Sequence, residues 1–89
     1  MSAFRVLHID DDSDIREIVA MSLALDPALT VQGCGSGKEG LAAAAASPPD
    51  VILLDVMMPV MDGPTTLAQL RKNPRTAGIP VDLSVFSLD

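Results

Sequence analysis

Asp10, Asp11 and Asp12 stand together behind the mostly apolar run Val6 to Ile9, and Asp55 stands directly behind Val51, Ile52, Leu53 and Leu54. A carboxylate at the end of a strand buried on both faces is costly unless something compensates its charge. In open parallel sheets, ligands collect outside the carboxyl ends of the strands, where strand order reverses. If the two runs are neighbouring strands, at least three carboxylates converge on one crevice and raise one another's pKa until a cation neutralises them. A site offering only oxygen donors suits Mg²⁺ or Mn²⁺ rather than zinc. Taken singly, each group has a plainer reading. Asp12 to Asp14 make an ordinary helix N-cap favoured by the helix dipole, and Asp55 a capped turn or a solvated strand end. Their joint placement at one sheet edge is what points to function.

The elements that must hold these groups are readable from periodicity. After the first strand, Ile15, Ile18, Val19 and Leu23 follow the i, i+3, i+4, i+8 spacing of an amphipathic helix. Ser13 or Asp14 is the expected cap, Asp14 and Glu17 have capping-box spacing, and Asp26-Pro27 is the stop. Thr30 to Gln32 reads as a weak second strand. Ser36 and Glu39 form a second capping-box pair before Leu41 and the alanines 42 to 46, and Ser47-Pro48-Pro49 ends that helix. Val51 to Leu54 is the third strand. Asp62-Gly63-Pro64 opens a third helix, with proline tolerated in its first turn, running to about Lys72. Asn73-Pro74 closes it, and Ile79 to Phe86 reads as a fourth strand. The order β-α-β-α-β-α-β predicts an α/β fold, a parallel sheet with right-handed crossovers and helices on both faces. Gly35, Gly37 and Gly40 complete a G-x-G-x-x-G pattern. It follows a poor strand and lacks the later acidic partner, so a flexible turn running into a helix is the better reading.

Composition narrows the classes further. At 89 residues the chain is one small domain, and 48% hydrophobic residues make it globular. Aromatics at 2% leave little for base stacking, and a net charge of -6 argues against direct nucleic-acid or anionic-membrane binding. Cys34 is the only cysteine, which excludes an internal disulfide or a cysteine zinc site and suggests a reducing, cytoplasmic location. No apolar run approaches a membrane span, and Arg5 has no long apolar segment behind it, so no signal peptide is expected.

The segments "RVLHIDDDSDIREIV", "GKEGL", "PDVILLDVMMPVMDG" and "IPV" resemble the receiver domain of two-component response regulators, in order from about Arg5 to Val81. The resemblance implies a flavodoxin-like (CheY-like) doubly wound sheet and a signalling module that is not itself an enzyme. It implies that Asp55 accepts a phosphoryl group from a sensor histidine kinase or phosphotransfer protein. Asp11 and Asp55 would hold Mg²⁺ (or Mn²⁺) directly, Asp10 largely through metal-bound water, and the main-chain carbonyl of Met57 would complete the set. Asp12 falls beside the pair as a cap. Ile15, Ile18 and Val19 would form the kinase-docking surface. Pro59 and Gly63 shape the loop beneath the site, Gly63 being able to take a positive φ. Met57, Met58 and Met61 read as packing filler and His8 as a packed or edge histidine.

Departures from the family pattern start at about residue 82. A Thr or Ser followed by a small residue is expected after the fourth strand, yet Val85 and Phe86 stand there. Ser84 or Ser87 would serve only after a shift of register, which turns every side chain to the other face. The fifth strand with its lysine and the last two helices have no counterpart, and Lys38, Arg71, Lys72 and Arg75 are not placed to substitute. The expectation is a C-terminally truncated receiver over residues 1–89, with an impaired switch and self-association through the exposed fourth strand or segment exchange. A degenerate receiver that binds partners independently of phosphorylation is the alternative. A haloacid-dehalogenase-like phosphatase fragment would use Asp10 and Asp12, but Asp14 sits where Thr or Val is usual. A calcium loop on Asp10, Asp12 and Asp14 fails at Ile15 and Met21.

Overall fold

The computed structural model describes residues 3–85. Its elements run β1 (Phe4–Ile9), α1 (Ser13–Leu23), β2 (Leu29–Cys34), α2 (Gly37–Ala46), β3 (Val51–Asp55), α3 (Gly63–Lys72) and β4 (Val81–Ser84). The four strands form one parallel sheet in the order β2-β1-β3-β4. This is the flavodoxin-like arrangement, and the chain winds outward in opposite directions from the β1/β3 boundary.

Side-chain alternation sorts the two faces. Leu7 pairs with Ile52 and Ile9 with Leu54, so these four share a face. Ala44 of α2 and Leu70 of α3 close over them in one buried cluster with Met58 and Ile79. Each large side chain removed from water there contributes about 2 kcal/mol. Gly40 belongs to this contact, because a Cβ at that position would collide with Ile9. The opposite face carries Val6, His8 and Gly33, with α1 laid against it through buried Ile15 and the Arg16 side chain. That face is less completely covered: Phe4 is 49% exposed and Ile18 47%.

Several local expectations are revised. The cap of α1 is Asp12, whose carboxylate accepts from the amides of Asp14 and Ile15; this is the role the resemblance implied for it, and it replaces Ser13 or Asp14, the caps expected from periodicity. Ser36 caps α2 by accepting from the Glu39 amide, while the Glu39 carboxylate reaches back to the Gly35 amide. The glycine-rich stretch is, as expected, a turn running into a helix: Gly33 lies in β2, the chain bends at Gly35 and Ser36, and Gly37 and Gly40 lie in α2. β4 spans Val81–Ser84, shorter than expected, and Phe86 and Ser87 lie outside the described residues.

Candidate functional site

β1 and β3 run side by side with Ile9 opposite Leu54. The next residue on each chain is Asp10 and Asp55, so register alone brings these two carboxylates to the same edge. Asp11 joins them, and ligand-capable oxygens of Asp10, Asp11 and Asp55 lie within 4.8 Å of one another. Asp10 and Asp55 are buried, at 1% and 4% exposure, while Asp11 is exposed. The convergence expected at the sheet edge is present.

The surrounding bonds fix this geometry. The Asp10 amide donates to the Cys34 carbonyl at 3.0 Å, and Asp10 Oδ1 accepts from the Asp12 amide at 2.9 Å. Asp55 Oδ1 accepts from the Met57 amide at 3.2 Å, which places Met57 at the rim with its side chain 71% exposed. Met58 is buried in the core cluster, so of the methionines expected as filler, Met57 differs. Burial, followed by the charges of Asp55 and Asp11, raises the Asp10 pKa to about 6, against the opposing hydrogen bond from Asp12. His8 is fully buried on β1, 3.8 Å from Asp10, as a packed histidine. Burial and the nearby Arg16 guanidinium lower its pKa, with Asp55 opposing.

The donor set fits a hard divalent cation. It is composed of carboxylate oxygens, and the buried Asp10 Oδ2 accepts no hydrogen bond. A buried carboxylate oxygen in that state, with His8 Nε2 3.8 Å away, is one that a bound cation would stabilise.

The loop after Asp55 is held closed by the Gly63 amide, which donates to the Val56 carbonyl at 2.9 Å. Gly63 does not take the positive φ expected of it; Val60 does, at φ 68°. Glycine is required at 63 by close approach instead. A Cβ there would collide with the Asp55 carbonyl and stand 2.8 Å from Val56 Cα and Leu83 Cδ1. Ser84 pairs in register with Asp55, but its hydroxyl donates to Asp82 Oδ1 at 3.2 Å. Sequence reasoning missed Arg16, whose Nη1 donates to the Asp10 carbonyl at 2.7 Å. Its i+6 separation from Asp10 across a strand-helix junction carries no periodic signal.

Residues 6–83 match the model of the response regulator receiver domain. The chain is 43% identical over 77 residues to the DNA-binding dual master transcriptional regulator RpaA of Synechocystis sp., covering 86% of this chain and 32% of that protein. It is 44% identical over 77 residues to protein-glutamate methylesterase/protein-glutamine glutaminase 2 of Cereibacter sphaeroides, covering 85% of this chain and 20% of the relative. Among solved structures, the N-terminal domain of a response regulator receiver protein from Methanoculleus marisnigri JR1 superposes with a TM-score of 0.84 at 37% identity, over 89% of this chain and 63% of that one. The chain thus spans a third or less of these curated relatives and under two thirds of that solved domain. Neighbouring strand ends, the acidic trio they carry and the match over residues 6–83 give one conclusion: the chain belongs to the response regulator receiver domain family.

Proposed function

We propose that Asp55 is the phosphoacceptor of this receiver domain, taking a phosphoryl group from a phosphohistidine of a sensor histidine kinase or phosphotransfer protein. The single observation that carries the reading is the meeting of Asp10, Asp11 and Asp55 at the β1/β3 edge, with oxygens within 4.8 Å of one another. Receiver domains bind Mg²⁺ at an acidic pocket, and here Asp10, Asp11, Asp55 and the Met57 carbonyl would hold it. When bound, the cation offsets the negative charge that builds between the carboxylate and the phosphoryl group. The Asp55 carboxylate attacks phosphorus in line, the phosphorus-nitrogen bond of the donor breaks, and the imidazole leaves with the electron pair. The backbone bonds to Asp10 and Asp55 keep the reacting oxygen oriented beforehand. The setting is cytoplasmic. Among the described residues no helix is long and apolar enough to cross a membrane.

The switch that follows phosphorylation is impaired in this 89-residue chain. Val85 stands where the family places a hydroxyl, and the Ser84 hydroxyl is engaged by Asp82. Residues 82–85 thus depart from the family pattern. Among the described residues β4 is the sheet edge, and the chain self-associates through it. Incubation with a small-molecule phosphodonor and Mg²⁺ tests the acceptor role by intact mass. One phosphoryl group is expected, lost in Asp55→Asn and in chelator. Phosphorylation that persists in Asp55→Asn overturns it. Partner binding that is identical before and after Asp55→Asn would instead favour a phosphorylation-independent binding module.

A further inference from the structure

Arg16 makes contacts that the acceptor chemistry does not use. Its Nη1 donates to the main-chain carbonyl of Asp10 at 2.7 Å. The rest of the side chain lies along the end of β2: a Cβ at Gly33 would stand 3.4 Å from Arg16 Cδ, and one at Gly35 3.3 Å from Nη1. Gly33 and Gly35 therefore leave a trough that the arginine fills. The far wall of the trough is fixed, because the Gly35 amide donates to Glu39 Oε2 at 3.0 Å and the Glu39 amide to Ser36 Oγ at 3.1 Å. The trough thus ties Arg16 to the N-terminus of α2.

The carbonyl that Arg16 holds belongs to the peptide joining Asp10 to Asp11. That unit is planar, so fixing its oxygen also fixes the direction in which the Asp11 Cα leaves. With the Asp10 amide held by the Cys34 carbonyl and Asp10 Oδ1 by the Asp12 amide, the peptide is restrained on each side. We infer that Arg16, seated in the Gly33–Gly35 trough, is a positioning residue for the divalent-cation site, orienting the Asp10 and Asp11 carboxylates through their shared peptide. The inference rests on the metal reading above.

Two effects of this guanidinium have opposite signs. As a fixed positive charge it repels an incoming cation, so its removal by charge alone tightens Mg²⁺ binding. As an orienting group it favours binding, and loss of such a supporting contact weakens metal affinity about ten-fold or more. Positioning is the larger effect here, because the carbonyl bond is short and charge-assisted.

The test is calorimetric Mg²⁺ titration of the 89-residue chain, which has no Trp or Tyr to report optically. Arg16→Met, which keeps the stem and removes the guanidinium, is expected to weaken Mg²⁺ by about ten-fold. Arg16→Lys is expected to fall between, since an ammonium reaches one carbonyl but lacks the planar fork. Unchanged or tighter binding by folded Arg16→Met overturns the inference, whatever happens to its melting temperature in chelator. Should Arg16→Met not fold, Gly35→Ala crowds Nη1 with Arg16 still present and has to weaken Mg²⁺ several-fold; equal affinity overturns the inference. Asp10→Asn separates the two claims. A wild-type chain that binds Mg²⁺ and loses it in Asp10→Asn upholds the site, leaving Arg16→Met to decide the inference alone. A wild-type chain that takes up no Mg²⁺ overturns both.

Discussion

Asp10 is the residue at which burial and charge conflict most. Its pKa in the fold is about 6 against an ordinary value of 3.8, so the folded state binds the proton more tightly than the unfolded chain. Stability in chelator is therefore expected to fall as pH rises from about 4 to about 6, by roughly 2–3 kcal/mol in all. Saturating Mg²⁺ is expected to remove most of that loss, and Mg²⁺ affinity to decline as pH drops below about 6, because the proton and the cation compete for one carboxylate. Urea denaturation across pH, with and without Mg²⁺, checks both, and Asp10→Asn should flatten the chelator profile. At Gly63 the competing terms are a helix-propensity gain of about 1 kcal/mol for alanine and a collision with backbone. The collision wins, since the Asp55 carbonyl and Val56 Cα belong to the strand end itself and cannot rotate away. Gly63→Ala is expected to destabilise by about 2 kcal/mol or more in thermal melts. The acidic trio was legible in sequence because strand ends reveal it. The role of Gly63 was not, because it depends on neighbours that only the tertiary fold supplies. A glycine after Asp suggests a turn, and the positive φ went to Val60 instead.

At the scale of elements, each helix begins on a side-chain oxygen: Asp12, Ser36 and Asp62 accept from amides of the first turn. The hydrogen bonds that Asp62 accepts from Thr65 also lower its pKa. Asp12→Ala is expected to lower stability by about 1 kcal/mol. It should leave Mg²⁺ affinity within a few-fold of wild type, because the bond steadying Asp10 comes from the backbone amide of residue 12. Chemical denaturation and calorimetry on the same variant check the two halves. A large loss of affinity would mean that the Asp12 carboxylate itself takes part in the site. The order of elements was legible because apolar spacing switches cleanly between strand runs and the helical period at residues 15–23 and 63–72. The N-cap of α1 was set one or two residues late by periodicity, since five acidic or hydroxyl side chains in a row, Asp10 to Asp14, all satisfy the capping rule and only φ and ψ choose among them.

For the whole molecule, the Cα radius of gyration of 12.2 Å matches the roughly 12 Å expected for a compact chain of this length. Compactness does not close the sheet, however. Among the described residues β4 is an edge. Pro80 and Ser84 carbonyls accept from Ile52 and Val56 on the β3 side, so by strand alternation the peptide groups of Val81 and Leu83 point outward. An outward row of peptide groups pairs readily with a second copy about a two-fold axis, as antiparallel β4 against β4. Centred on Leu83, this pairing sets Leu83 opposite its own copy and Asp82 opposite Ser84, which avoids a direct carboxylate clash. Two terms oppose it: the edge is only four residues long, and each chain carries a net charge of -6. The balance favours a weak dimer that strengthens with protein concentration and with salt, as screening removes the repulsion. Sedimentation velocity at low and high ionic strength checks the association. Hydrogen exchange checks the surface, because the Leu83 amide should gain protection only as the dimer forms. A monomer at every concentration, with Leu83 exchanging freely, would show that the short strand and the net charge prevail over edge pairing.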